Sequence, residues 1–186
     1  MAEKVIVAIS GASGAIIGIK ALQLLKSAGI ETHLIISPAA RQTILAETDW
    51  QVEEVAALAD YSYDPHDIGA AIASGSFESD GMLVAPCSIK TLSAIANSYA
   101  KNLIVRAADV CLKEGRPLVL GVRETPFHTG HIRLMKLASK AGAVIFPLIP
   151  SFYGRPQTID DLVTNLAGRM LLRLGIKNSA FRRWKE

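Results

Sequence analysis

Runs of aliphatic and β-branched residues recur along the chain with little polar alternation, at 4–10, 31–36, 82–85, 118–122 and 143–146. Such runs suit strands buried on both faces, as in a parallel sheet. Between them the apolar positions change to helical spacing. Ala15, Ile19, Leu22 and Leu25 share one face of a first helix, which Gly29 stops. Ser37-Pro38 opens a second as N-cap and first-turn proline. Further helices are predicted over 102–113 and 129–141, and Thr158 with Asp161 opens a last long one to Leu174, ended by Gly175. Five strands alternating with helices predict an α/β fold of Rossmann-like type. It has three layers, α/β/α, around a mainly parallel sheet with right-handed crossovers. The stretch 60–80, rich in Ser, Gly and Asp, is expected to be an irregular surface excursion.

Ligands of such sheets collect at the carboxyl ends of the strands. The first strand runs into Gly11-Ala12-Ser13-Gly14, with Gly18 beyond it, a loop whose backbone can approach an anion lying on the dipole of the next helix. This is not G-x-G-x-x-G, and the second strand ends in Ile35-Ile36-Ser37-Pro38 without the acid a dinucleotide ribose needs. A phosphate is expected, but not NAD. The other strand ends lead into Pro86-Cys87-Ser88-Ile89-Lys90-Thr91, Arg123-Glu124-Thr125-Pro126 and Pro150-Ser151-Phe152-Tyr153. Hydroxyls at three helix starts, Ser37, Ser88 and Thr91 among them, suit a phosphorylated cofactor. Each taken singly also reads as a plain helix cap.

Composition narrows the partners. Half of the 186 residues are hydrophobic and 20% are charged, which suits apolar surface buried between subunits or a well-filled parallel sheet. The net charge of +3 is dispersed, which argues against nucleic acid. Met1-Ala2-Glu3-Lys4 leads directly into the first strand, no apolar run reaches membrane-spanning length, and the chain is expected to be cytoplasmic. Cys87 and Cys111 have neither zinc nor disulfide spacing. His128 and His131 lack an evident third ligand and read as helix-start residues; no metal is expected.

Taken in order, Ser10-Gly11-Ala12-Ser13-Gly14-Ala15, Glu47-Thr48-Asp49, Pro86-Cys87-Ser88, Arg106-Ala107-Ala108-Asp109-Val110 and Leu112-Lys113-Glu114 resemble the UbiX family of flavin prenyltransferases. So do Arg116-Pro117-Leu118-Val119-Leu120, Arg123-Glu124-Thr125-Pro126 and Phe152-Tyr153 with Pro156-Gln157, so that the resemblance covers nearly the whole chain. It implies transfer of a dimethylallyl group from dimethylallyl monophosphate to reduced FMN. The prenylated FMN so formed is the cofactor of a separate UbiD-type decarboxylase. It also implies a homo-oligomer, a dodecamer. Residue by residue, Gly11, Ala12, Ser13, Ser37, Ser88, Ile89, Lys90, Thr91 and Arg123 correspond to FMN contacts. Ile89-Lys90 departs from the family's smaller residues, so Lys90 is expected to act through its backbone. Tyr153, Arg169, Arg106, Lys113 and Trp184 correspond to the dimethylallyl phosphate pocket, with Trp184 helping to close it. Ser13, Glu47, Lys113 and Glu124 are the catalytic candidates, Glu124 resembling a carboxylate implicated in proton transfer. One FMN-binding domain over 1–175 and a tail, 176–186, that serves as a lid over the site or over a neighbouring subunit are the expected organisation.

The residue types fit that chemistry. Displacing an allylic phosphate builds negative charge on the leaving group, which the cations Arg106, Lys113, Arg123 and Arg169 would stabilise. Asp160-Asp161 falls short of the D-D-x-x-D motif that holds magnesium and reads instead as the acidic first turn of a helix. Two rivals remain. A flavin-dependent cysteine decarboxylase of the phosphopantothenoylcysteine type would carry a Met-Asn signature, and the chain has no such pair. A non-catalytic FMN carrier would need fewer cations than this.

Overall fold

The computed structural model describes residues 4–181, 183 and 184. Residues 1–3, at the head of the expected domain, and 182, 185 and 186, in the expected tail, lie outside the described residues. Six strands form one sheet: β1 (Lys4–Ile9), β2 (Glu31–Ile36), β3 (Tyr61–Tyr63), β4 (Met82–Cys87), β5 (Leu118–Val122) and β6 (Val144–Pro147). Their order is β3-β2-β1-β4-β5-β6, and every pairing is parallel. This is the doubly wound order, with its switch point between β1 and β4.

Alternation along the strands feeds two cores. Val5, Val7 and Ile9 of β1, with Leu83 and Ala85 of β4, face one layer. That layer holds α1 (Ala15–Ser27), α2 (Pro38–Glu47), α3 (Val52–Ala56) and α7 (Ile159–Arg173). Ile6, Ala8, Met82, Val84, Leu118 and Leu120 face the other, which holds α4 (Ile89–Ala96), α5 (Leu103–Lys113) and α6 (Thr129–Lys140). Both faces of the sheet are therefore dry, which is why the strands read as unbroken apolar runs. Ile176, just past α7, is buried with the first core, and Asn178 donates from Nδ2 to the Gly168 carbonyl at 3.0 Å.

The stretch 60–80 differs from expectation. Tyr61–Tyr63 pairs with β2, Ala71–Ala73 is a 3₁₀ turn, and Ile72 and Ala73 are buried. Side chains rather than backbone propensity settle this edge. The buried His33 stacks on Tyr61 at 4.8 Å between ring centres. Its Nδ1 and Nε2 lie 2.9 Å from Tyr63 Oη and 2.8 Å from Glu31 Oε1. Asp60 accepts the Thr32 N–H at 2.8 Å and its hydroxyl at 3.0 Å, and the backbone bond foremost holds that carboxyl below the usual carboxylate range.

Gly18 sets how closely α1 lies on the sheet. A Cβ at this position would overlap the Ala85 carbonyl oxygen and stand 3.0 Å from Ile9 Cγ1. In an exposed helix, alanine would be favoured over glycine by about 1 kcal/mol. Here the overlap is with strand backbone and cannot be relieved by a rotamer change. Gly18→Ala is expected to cost about 3 kcal/mol net, read as a lower urea midpoint with an unchanged slope. Wild-type stability would show that α1 has room to move away from β4.

Candidate active site

The carboxyl edge of the sheet brings together most of the positions singled out in the sequence. Gly11, Ala12 and Ser13 follow β1, Ser37 caps α2, and Ser88 caps α4, with Ile89, Lys90 and Thr91 in its first turn. Arg123 and Glu124 follow β5. The serines do cap. Ser37 Oγ accepts the Ala40 N–H at 3.1 Å. Ser88 Oγ accepts the Thr91 N–H at 3.3 Å and donates to Thr91 Oγ1 at 3.1 Å. Capping and ligand contact are compatible, because a hydroxyl oxygen has two lone pairs.

The N-terminus of α1 has an internal partner. Gly14, at φ 100°, caps the helix, and its N–H donates to Glu47 Oε2 at 2.7 Å. A carboxylate from the end of α2 thus already lies on the dipole where the sequence suggests a phosphate. Other donors around it are open. Among the described residues, the N–H groups of Gly11, Ser13, Ile89 and Lys90 and the guanidinium of Arg123 have no hydrogen-bond partner. The Ser88 N–H is taken by Ser10 Oγ at 2.8 Å and the Thr91 N–H by Ser88. Two amides at the start of α4 are therefore aimed outward as an anion cradle. Ile89 and Lys90 also line a groove of about 540 Å³ with His128, His131 and Arg133. His128 caps α6 with Nδ1 accepting the Gly130 N–H at 3.0 Å, the helix-start role the sequence suggests.

Glu124, half-buried, accepts the Thr125 N–H at 3.0 Å. On the β6 side, Arg169 of α7 stands 5.8 Å from the Phe146 ring, one residue short of the carboxyl end of β6. Tyr153 and Trp184 meet edge to face at 5.5 Å, 40% and 68% exposed. Next to them the loop after β6, the start of α7 and the tail enclose a cavity of about 380 Å³ lined by Ser151, Arg155, Asn165 and Phe181. Asp160 and Asp161 are first-turn acids: Asp160 pairs with Lys20 at 2.6 Å, and Asp161 closes the capping box with Thr158.

Two of the expected cations stand apart. Arg106 Nε donates to the Ala73 carbonyl at 3.0 Å, and the same guanidinium pairs with Asp109 at 3.3 Å. Lys113 ends α5 beside Gly75 and is paired with Glu114, which holds that carboxyl below its usual range. Three residues beyond Lys113, Arg116 donates to the Phe77 and Gly75 carbonyls, and Pro117 O accepts the N–H of Met82, the first residue of β4. Lys113 therefore sits at the amino edge of the sheet, a strand's length, about 20 Å, from the loops after β1 and β4 of its own chain. Sequence order gives no sign of this, because a helix antiparallel to the strands carries its last turn to the opposite edge.

Ser10, which heads the first motif but has no role assigned from sequence, joins the site through its side chain. It is buried, and its Oγ donates to the Pro86 carbonyl at 2.8 Å. Its signals in the sequence are its place in that motif and a hydroxyl at the end of an otherwise apolar run. Cys87 and Cys111 are buried, and burial pushes their thiols up to about 12 and about 11. The start of α4 does not activate Cys87. At pH 8 the folded protein is expected to resist iodoacetamide and to take up two equivalents once denatured; rapid native labelling would contradict this.

Gly11 has a packing reason as well as a ligand-side one. A Cβ there would overlap Ala39 Cβ at the start of α2. Gly11→Ala is expected to lower the melting temperature, and Gly11→Ala with Ala39→Gly to recover most of the loss. If the pair melts no higher than the single variant, the glycine serves something other than this contact.

Among the described residues no helix is long and apolar enough to cross a membrane, and no group of three or more His, Cys, Asp or Glu side chains is placed to hold a metal. The chain matches the Flavoprotein family over residues 1–171. It is 54% identical over 186 residues to flavin prenyltransferase UbiX of Escherichia coli K12, covering 98% of each chain. The structure of AnUbiX (PadA1) in complex with FMN and dimethylallyl pyrophosphate superposes with a TM-score of 0.97 at 46% identity, over 100% of this chain and 99% of that one. A dodecameric FMN-dependent UbiX-like decarboxylase from Escherichia coli O157:H7 gives 0.95 at 47%, over 98% and 100%. With the sheet order, the donor loops and these likenesses in agreement, the chain belongs to the flavoprotein family and, within it, to the UbiX-type flavin prenyltransferases.

Proposed function

We propose that the protein transfers a dimethylallyl group from dimethylallyl monophosphate to reduced FMN, without a metal, and hands prenylated FMN to a UbiD-type decarboxylase. The observation that carries this is the set of open donors at the carboxyl edge: Gly11 and Ser13 on one loop, Ile89 and Lys90 on the next, Arg123 on a third. A phosphorylated, oxygen-rich flavin fits that set. The α4 amides would hold its phosphate, and the loop of Gly11, Ala12 and Ser13, with Ser37, Thr91 and Arg123, would hold the rest. Reduced FMN supplies the nucleophilic ring on which the new bonds are made.

The residues of this chain do the remainder. Arg169 and Tyr153 bind the dimethylallyl phosphate beside Trp184, and their positive charge and hydroxyl stabilise the departing phosphate. Ser13 and Glu47 flank the flavin from the β1 loop and α2. The tail, 176–186, closes the site against water, completing the body formed by 1–175. Glu124 holds a carboxylate oxygen toward the edge and accepts the proton released as the new ring forms. Lys113, at the amino edge, reaches such a site from a neighbouring copy, with Arg106 of the same helix adding to the phosphate pocket, so the working form is a homo-oligomer, a dodecamer as in the Escherichia coli relative. Exposed Ile149, Phe152 and Ile159 provide apolar surface for it. The enzyme works in the cytoplasm, in ubiquinone biosynthesis or aromatic-acid decarboxylation.

The test is anaerobic incubation of the protein with reduced FMN and dimethylallyl monophosphate, with and without EDTA. Mass spectrometry is expected to show flavin heavier by one five-carbon unit at equal rates in both. Unchanged flavin would leave the carrier reading, and loss of activity with EDTA would overturn the metal-free one. Glu124→Gln keeps the shape but not the basicity, and is expected to bind FMN while forming ring-closed product at least tenfold more slowly. Closure at the wild-type rate would assign the proton to another base.

A further inference from the structure

The two loops expected to hold FMN are joined by one buried hydroxyl. Ser10, 1% exposed, ends the run of β1. Its Oγ donates to the Pro86 carbonyl at 2.8 Å and accepts the Ser88 N–H at 2.8 Å, and its own N–H reaches the same Pro86 oxygen at 3.2 Å. The partners lie 76 and 78 residues away along the chain, in and just past the strand on the far side of the switch point. Beyond that one backbone bond, no strand pairing holds the end of β4 on this side. The β1–β4 pairing covers Ile6 to Ala8, and the β4–β5 register slips between Val84 and Cys87, where Pro86 has no N–H to give. The end of β4 is therefore tied to its neighbour on the β1 side through Ser10.

This knot decides which donors α4 presents. Ser88 is its N-cap, and with the Ser88 N–H held by Ser10 and the Thr91 N–H held by Ser88, the Ile89 and Lys90 amides are left to point outward. Their direction follows from where the Ser88 backbone is pinned. We propose that Ser10 is a positioning residue for FMN: it touches no ligand, but it fixes the aim of the α4 amides relative to the Gly11–Ser13 loop so that both meet one flavin. The proposal rests on the reading that these loops hold FMN.

A bystander serine would add stability and nothing else, so affinity and stability must be read separately. Four full-length variants are compared by urea midpoint without flavin and by fluorescence titration with FMN. Ser10→Ala removes both bonds of the hydroxyl and keeps only the backbone N–H bond to Pro86. Ser10→Cys keeps the volume with a weaker, longer bond. Leu25→Ala, buried in the last turn of α1 at the opposite edge, is a stability control. Ile89→Pro deletes one cradle amide at the first helical position, which tolerates proline, after a Ser88 whose ψ of 156° already suits it.

Ser10→Ala is expected to bind FMN at least tenfold more weakly and Ser10→Cys by an intermediate factor. Leu25→Ala, with an equal or larger drop in urea midpoint, should stay within twofold of wild type, while Ile89→Pro weakens. Wild-type affinity in Ser10→Ala beside a weakened Ile89→Pro would overturn the positioning role and leave the flavin loop standing. Wild-type affinity in Ile89→Pro would overturn the flavin-loop reading, and the role of Ser10 with it. Should Ser10→Ala not fold, Ser10→Cys decides alone: threefold weaker binding supports the role, and binding within 1.5-fold of wild type ends it.

Discussion

Parallel pairing of β1 with β4 is the constraint on which the carboxyl edge depends. The chain leaving β1 turns to one face of the sheet as α1, and the chain leaving β4 turns to the other as α4. Two backbones that diverge in this way leave a crevice lined with peptide groups that neither helix satisfies. The protein fills part of that demand internally, with Ser10 across the gap and Glu47 on Gly14. What remains open is directed at a ligand. The close approach of α1 at Gly18 keeps the two walls of the crevice in register, because Ala85, against which it packs, is the residue before Pro86.

Much of this was legible in the chain. Strands buried on both faces read as unbroken apolar runs, and caps such as Ser37-Pro38 and Thr158 with Asp161 read as helix starts. The three residues of β3 were not legible, since Tyr-Ser-Tyr has no apolar run and takes its place from His33 on the next strand. The five residues of α3 are too few to show a period. Within the site, Gly11 read as a glycine facing a ligand, while its tightest neighbour is Ala39. The Glu47–Gly14 bond spans 33 residues and leaves no local trace. Sequence reports which residue types stand at strand ends; it does not report which amides are already occupied.

The charged groups show the same division. Arg123 and Arg169 lie at the carboxyl edge with little to neutralise them, whereas Arg106 is committed to Asp109 and a carbonyl, and Lys113 to Glu114. Pairs as exposed as these contribute little to stability and are exchanged easily. Their partners hold the side chains in place without binding them strongly, a state suited to groups that a second anion can recruit.

The place of Lys113 has a consequence for how catalysis scales. A chain that carries one catalytic candidate at the amino edge and the others at the carboxyl edge cannot assemble the full set by folding alone. Under the proposed role of Lys113, turnover per chain would depend on mass action, falling on dilution while every protomer remains folded. Specific activity becomes a measure of assembly, and two chains defective at opposite edges can restore function when mixed.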